Sequence, residues 1–293
     1  MTAKSGFRGS EMAASDSSLG LLRDATTRLK NSDAPQLDAR WILAHVLRLD
    51  HRDARLRTDL PLTASQVDEF EQLTLRRASG EPLAYILGEW EFFGYRLEVT
   101  PAVLVPRPET ELLVEWGLEL LKDVPDPRIV EVGVGSGAVV IALANQRADL
   151  RAVAIDLSPR AIEVARRNLQ AHQLLDRVEL IEGNLLEPVT GDHHMVISNP
   201  PYIVAGDPLL AADVARHQPE SALIDDLDED GLGYHRALID GFERCVGRSG
   251  SLLMECGQGQ DSGIVKYAIQ SGYQASSRPD LAGIQRVVHV ESL

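Results

Sequence analysis

From Pro125 onward, short apolar runs of four or five residues alternate with amphipathic stretches, and this alternation constrains the fold more than any other feature of the chain. Residues 128–132, 152–155, 178–181, 195–198 and 252–255 are rich in Val, Ile, Leu and Met and read as buried strands. Residues 138–145, 159–172 and 232–246 read as helices between them. Strands alternating with helices demand right-handed crossovers and a parallel sheet covered on both faces, which places this part of the chain in the α/β class. Ligands of such doubly wound sheets bind beyond the carboxyl ends of the strands.

The first third of the chain is punctuated differently. A Ser/Ala-rich start, residues 1–17, reads as flexible, and residues 18–88 read as a small all-helical domain. Leu37, Trp41, Ala44 and Leu47 recur at helical spacing and predict a helix over 36–49. Thr63 followed by Gln66 forms a capping-box pattern that opens a second helix through Phe70 and Leu73, with Gly80 as its stop. Residues 89–93 and 95–99 straddle Gly94 and are rich in aromatic and β-branched side chains, predicting a hairpin linker over 89–105; the α/β domain then occupies 106–293.

The 293 residues carry a net charge of −15, almost all of it beyond residue 90. Nucleic-acid affinity rests largely on Lys and Arg displacing condensed counterions, so no direct nucleic-acid binding is expected. No stretch approaches the roughly 18 apolar residues of a membrane span and the first twenty positions lack the apolar core of a signal peptide, so the expected setting is cytoplasmic. Cys245 and Cys256 are too few for a disulfide framework or a four-ligand zinc site and read as buried free thiols. The acidic run DDLDED at 225–230 reads as a solvated loop.

The first strand runs directly into Gly133-Val134-Gly135-Ser136-Gly137 and then into a helix, while Asp156 closes the next strand. Alternate glycines let the backbone turn tightly and approach a ligand, and a carboxylate at that place can accept both hydroxyls of a ribose. Gly133, Gly135 and Ala138 equally satisfy the dinucleotide fingerprint, so this loop by itself indicates an adenosine-type ligand and leaves its identity open. At the end of the third strand, Asn184 can pair with an adenine edge while Leu185 covers its face; Gly-Asn is also ordinary turn chemistry.

The fourth strand leads into Asn199-Pro200-Pro201-Tyr202. Two prolines fix φ and remove two backbone donors, which turns the loop into a rigid acceptor surface. The Asn199 side-chain oxygen and the Pro200 carbonyl can each hold one hydrogen of a planar NH₂ group, and the Tyr202 ring offers a flat stacking face. A conjugated nitrogen is a poor nucleophile, so rate must come from orientation beside a strongly electrophilic carbon, such as a sulfonium methyl. Together the two loops indicate S-adenosyl-L-methionine-dependent transfer to an amide or amino nitrogen, with no metal. Two rivals remain: an amino-methyltransferase acting on an exocyclic amine of DNA or RNA, and a non-catalytic interaction module on the same fold. His193 and His194, ahead of the fourth strand and away from the crevice, read as surface histidines.

At these residues the chain resembles the release-factor glutamine N5-methyltransferases, the HemK/PrmC family. Matching segments are PLAYILG at 82–88, VPRPETE at 105–111, the glycine loop with Asp156, NPPY followed by Ile203, LMECG at 253–257, and Arg286-Val287-Val288. The resemblance implies a helical bundle, a hairpin linker and a seven-stranded, mostly parallel class I methyltransferase domain. It implies methylation of the glutamine in the Gly-Gly-Gln motif of peptide chain release factors, with S-adenosyl-L-homocysteine as product. Carried over by position, Gly133 to Gly137 hold the methionine end of the cofactor, Asp156 its ribose and Asn184 with Leu185 its adenine. Asn199 also borders the cofactor, and Asn199, Pro200, Pro201 and Tyr202 bind the target glutamine. Arg107 and Glu109 shape the cleft wall or form an interdomain salt bridge. Glu131 stands where the family usually has Asp and should still reach the cofactor's ammonium group; Asn184 replaces a frequent Asp, and Gln218-Pro219 a common Glu-Pro.

Overall fold

A computed structural model describes residues 18–50, 61–207 and 212–292; the flexible start expected at 1–17 lies outside them. The chain divides into two compact units, residues 1–87 and 88–293.

The first unit holds α1 (Ser18–Arg28), α2 (Pro35–Val46), α3 (Ala64–Ala78) and the short α4 (Leu83–Leu87). Pro35 starts α2, where its fixed φ suits a helix and its missing N–H is no loss. The helix stops three residues before the expected 49. Arg48 takes the left-handed conformation (φ 55°), and the Leu49 N–H reaches back to the Ala44 carbonyl at 2.9 Å, a Schellman closure. Its buried face is accordingly centred on Ala39, Ile42, Leu43 and Val46, with Trp41 and Leu47 at the margin. The Thr63–Gln66 capping box opens α3: Thr63 N–H donates to Gln66 Oε1 at 2.9 Å, and Gln66 N–H to Thr63 Oγ1 at 3.3 Å. Phe70 of α3 packs with Leu21, Leu22, Ile42 and Leu83 in the core of this unit.

The second unit begins with a hairpin, β1 (Glu89–Phe92) and β2 (Tyr95–Glu98). Phe93 and Gly94 at its tip both have positive φ, the two-residue turn whose twist matches that of the strands. The hairpin packs on the rest of the unit: Phe92 and Leu97 are buried in the same cluster as Trp116, Leu143 and Leu169. After α5 (Glu111–Leu120) come β3 (Arg128–Val132), α6 (Ala138–Gln146), β4 (Arg151–Asp156), α7 (Pro159–Ala171), β5 (Val178–Glu182) and β6 (His193–Ser198). Then follow β7 (Ile203–Val204), α8 (Ala212–His217), β8 (Ile224–Asp225), α9 (Gly233–Gly241), β9 (Val246–Glu255), α10 (Asp261–Gln270), β10 (Gln274–Pro279) and β11 (Gln285–Glu291).

Seven of these strands form one sheet in the order β10-β11-β9-β6-β3-β4-β5, parallel except at β11, which runs antiparallel to both of its neighbours. Successive strand residues point to opposite faces. Ile129, Met195 and Ile197 face α5, α6 and α7, whereas Val130, Val196 and Leu252 face α9 and α10. Each face is an apolar core of this kind. The five strands read from the sequence are all present, and β10 and β11 add the antiparallel edge. His193 and His194 are the first residues of β6 and not a segment ahead of it; they lie at the opposite end of that strand from the NPPY loop. Both cysteines are buried free thiols.

The order reverses between β3 and β6: the chain proceeds from β3 through β4 to β5, then returns to the other side of β3. Val132 of β3 is in register with Ser198 of β6, so the segments that follow them, starting at Gly133 and at Asn199, leave the sheet side by side at the switch point.

Candidate active site

Gly133, Gly135 and Gly137 all adopt positive φ (75°, 53° and 84°), a conformation costly for any residue with a Cβ. Gly137 caps α6 in this conformation. A Cβ at Gly133 would stand 3.8 Å from the Asn199 carbonyl oxygen, which measures how closely the glycine loop and the NPPY loop approach. Between them opens a cavity of about 370 Å³, within the range of small-ligand sites. Val134 and Ser136 also line it, and both are almost fully buried.

Two carboxylates line the cavity beside the glycine loop. Asp156, at the end of β4, accepts the Gly135 N–H at Oδ2 and the Ser158 N–H at Oδ1, each at 2.9 Å. Burial pushes its carboxyl above the ordinary range, and the two N–H donors pull the other way. Each oxygen keeps a second lone pair for a hydroxyl donor. Glu131, the penultimate residue of β3 and 4% exposed, accepts the Val140 N–H at Oε2 (2.9 Å), while its other oxygen has no partner among the described residues. Burial holds the Glu131 carboxyl well above its usual range, with the nearby Asp156 charge adding to the effect. With Asp226 a third acid and Arg107 the one opposing charge among the described residues of the wall, the cavity favours a cationic occupant.

Asn184 and Leu185 both line the cavity, past Asp156. The Asn184 amide donates to Glu187 Oε1 at 3.0 Å, which leaves its oxygen as the free acceptor. Leu185 takes a positive φ of 48°.

Asn199, Pro200 and Pro201 line the opposite wall. Asn199 Nδ2 donates to Thr110 Oγ1 at 3.1 Å, and Thr110 in turn donates to Glu255 Oε2 at 2.6 Å. Neither Asn199 Oδ1 nor the Pro200 carbonyl has a hydrogen-bond partner among the described residues, so two acceptors border the cavity together. Tyr202 is placed differently from the expected stacking face. It does not line the cavity; its hydroxyl donates to Glu255 Oε1 at 3.2 Å, and its carbonyl accepts from Gln260 Nε2 at 2.9 Å. Tyr202 therefore braces the loop from behind.

Three features of the site escaped the sequence reading. Thr110 and Glu255 lie in segments noted there without a role, and nothing in the spacing of residues 145 apart shows that they touch. The third is Asp225, which is buried at the head of the acidic run, whereas residues 226–230 are exposed as expected of a solvated loop. Asp225 is 3% exposed, pairs through β8 with the two-residue β7 that follows NPPY, and accepts the Gly233 and Leu227 N–H groups at 2.6 and 2.9 Å. Arg236 binds Asp228 and Asp230 at 2.6 and 2.5 Å. Asp226, which accepts from the Tyr234 hydroxyl at 2.8 Å, joins Tyr234 in lining the cavity. Backbone donors hold Asp225 and one arginine holds Asp228 and Asp230, which pins the exposed loop against the wall. Arg107 lines the cavity and Glu109 does not; Gln218 is buried and accepts the Val105 N–H at 3.2 Å.

Comparison with known proteins covers both units. Residues 20–88 match the model of the PrmC N-terminal domain, and residues 109–222 that of the methyltransferase small domain. The release factor glutamine methyltransferase of Burkholderia pseudomallei is 38% identical over 273 residues, covering 89% of this chain and 94% of that protein. The protein of the same name from Nitratidesulfovibrio vulgaris is 38% identical over 277 residues, covering 92% and 93%. Among solved structures, the hMettl16 catalytic domain in complex with MAT2A 3'UTR hairpin 6 superposes with a TM-score of 0.53 at 12% identity, over 78% of this chain and 82% of that one, a likeness of fold alone. Among the described residues no helix is long and apolar enough to cross a membrane.

Proposed function

The chain belongs to the release factor glutamine methyltransferase family, and from that premise we propose that it methylates N5 of the glutamine in the Gly-Gly-Gln motif of peptide chain release factors, with S-adenosyl-L-methionine as donor and S-adenosyl-L-homocysteine as product. The observation that carries this reading is the pair of unpartnered acceptors, Asn199 Oδ1 and the Pro200 carbonyl, on a proline-stiffened loop against the glycine loop.

The cofactor fits the residues present. Glu131 offers a buried, half-satisfied carboxylate to an ammonium group, Asp156 offers lone pairs to a ribose, and the surplus of acidic groups in the wall suits a sulfonium cation. Asn184 and Leu185 take the adenine side, and Gly133, Val134, Gly135 and Ser136 the methionine side, while Gly137, which does not line the cavity, turns the loop into α6. When bound, this cofactor supplies an electrophilic methyl carbon.

The protein's task is orientation. Asn199 and Pro200 accept the two carboxamide hydrogens of the glutamine and hold its weakly nucleophilic nitrogen in line with that carbon, where effective concentration replaces intrinsic reactivity. Pro201 keeps the loop rigid and Tyr202 braces it. A carboxamide nitrogen becomes strongly acidic as it gains the methyl group, so its proton leaves to solvent and no strong general base is needed. Glu131 and Asp156 bind and do not shuttle protons.

The test is incubation of the full chain with labelled S-adenosyl-L-methionine and either a release factor or nucleic acid, followed by mass mapping of the modified residue. Label on the Gly-Gly-Gln glutamine is expected. Label on nucleic acid would establish the exocyclic-amine reading instead, and failure to bind the cofactor in calorimetry would make the chain an interaction module.

A further inference from the structure

An asparagine amide has two nearly isosteric ends, and only its oxygen can hold a substrate N–H. At Asn199 the choice between them is made elsewhere. Glu255, the last residue of β9, is 2% exposed and does not line the cavity. An ionised carboxylate only accepts, so Thr110, 2.6 Å from Oε2, must give it the single hydroxyl proton. With that proton committed, Thr110 Oγ1 can only accept from Asn199, and Nδ2 at 3.1 Å is the end that must face it. Asn199 Oδ1 is left for the cavity. Tyr202 fixes the other carboxylate oxygen by donating to Oε1 at 3.2 Å.

We propose that Glu255 is a positioning residue whose carboxylate, acting through the Thr110 hydroxyl, sets the Asn199 amide with its oxygen towards the substrate nitrogen. This rests on the reading of Asn199 as the glutamine-binding residue. A protonated Glu255 reverses the relay: its own O–H donates, the Thr110 proton is released to point elsewhere, and the Asn199 amide is free to flip its donor end into the cavity. Glu109 from the turn ahead of α5 and Arg286 at the start of β11 are the other charges that bear on Glu255. Cys256 follows it just past the end of β9, and His235 Nε2 of α9 contacts its backbone carbonyl at 2.8 Å. Burial is the dominant influence and pushes Glu255 up to about 7, so the reversal falls in an accessible range of pH.

The experiment measures kcat for release-factor methylation between pH 6 and 9 at saturating substrates, with cofactor affinity from calorimetry, for the full chain and for Thr110→Val, Thr110→Ser and Glu255→Gln. Thr110→Val keeps the shape and removes the relay. Its kcat should fall about tenfold or more, as small misplacements of a reacting group do, with cofactor affinity little changed, and Thr110→Ser should recover most of the loss. The unaltered chain should lose kcat on acidification through about pH 7, and Glu255→Gln, which cannot ionise, should lose that acid limb. A folded Thr110→Val with unaltered kcat, or a Glu255→Gln variant with the same acid limb, would overturn the proposal; if Thr110→Val does not fold, the Glu255→Gln profile decides. An unaltered chain that methylates no release factor removes the functional reading itself and the proposal with it, an outcome distinct from an active enzyme indifferent to these substitutions.

Discussion

The Asn168 amide nitrogen lies 2.8 Å from the Ser136 carbonyl, tying α7 to the middle of the glycine loop. The same side chain donates to the Glu98 carbonyl at 2.9 Å and accepts the Glu98 N–H at 2.7 Å, so one asparagine, 2% exposed, joins the hairpin, a helix and the cofactor loop. Asn168→Ala leaves three backbone groups unpaired, one buried and two partly buried, and should cost about 2–4 kcal/mol of stability. It should also weaken S-adenosyl-L-methionine binding, because Ser136 loses its anchor. Denaturant midpoints and calorimetry check both effects; an unchanged midpoint would show that the three bonds are replaceable by water.

Asp156 is assigned to the ribose, a role that belongs to binding and not to the chemical step. Asp156→Asn removes charge from hydrogen bonds worth about 1.5–3 kcal/mol together, so the cofactor Kd should rise by roughly ten- to a hundredfold while kcat at saturation changes little. The ionised form is the better acceptor, and burial raises the carboxyl above its ordinary range. Cofactor affinity should therefore start to weaken on acidification before a fully exposed aspartate would protonate, and the Asn variant should not show this fall.

Asn199→Ala separates turnover from cofactor binding in the opposite sense. The acceptor for one carboxamide hydrogen disappears, and kcat should drop roughly a hundredfold or more, as when a preorganised hydrogen-bonding group is deleted from an active site. Cofactor Kd should stay within a few-fold. Steady-state kinetics beside calorimetry make the comparison, and parallel loss of both would move Asn199 from the substrate to the cofactor.

Legibility in the sequence followed the range of the interactions. Strand Arg128–Val132, the capping box at Thr63 and the glycine loop are local patterns, and each appears where the residues place it. β9 is ten residues long, yet only 252–255 stand out, because VGRSGS ahead of them is polar and rich in glycine. β10 goes unread for a related reason: Gln274–Pro279 is an edge strand, half exposed along its length, with no apolar run to mark it. The helix over 36–49 is overestimated because periodicity continues through Leu47 while Arg48 in the left-handed region ends it. Residues 226–230 are exposed, as charge runs usually are, but buried Asp225 is not legible, because the backbone donors at Gly233 and Leu227 that hold it depend on a turn that composition does not encode. Glu255 is the extreme case, a carboxylate whose partners come from two distant loops.

That isolation gives Glu255 a measurable effect on stability. Its carboxyl sits at about 7, against 4.5 for the free group, because burial penalises the charged form more than Thr110 and Tyr202 favour it. A raised folded-state value means that the site's stabilising contribution is complete below the unfolded value and is lost as pH rises through about 7. Holding an ionised Glu255 at pH 8 thus costs the fold up to about 3 kcal/mol relative to pH 4.5. Glu255→Gln keeps the shape and the acceptor oxygen without the charge, so its stability relative to the parent should improve from pH 5 to about pH 7 and level off by pH 8. Chemical denaturation of the two chains at both pH values tests this; a difference that stays constant with pH would mean that Glu255 titrates outside that window and does not pass through the ionisation on which its hold over Thr110 depends.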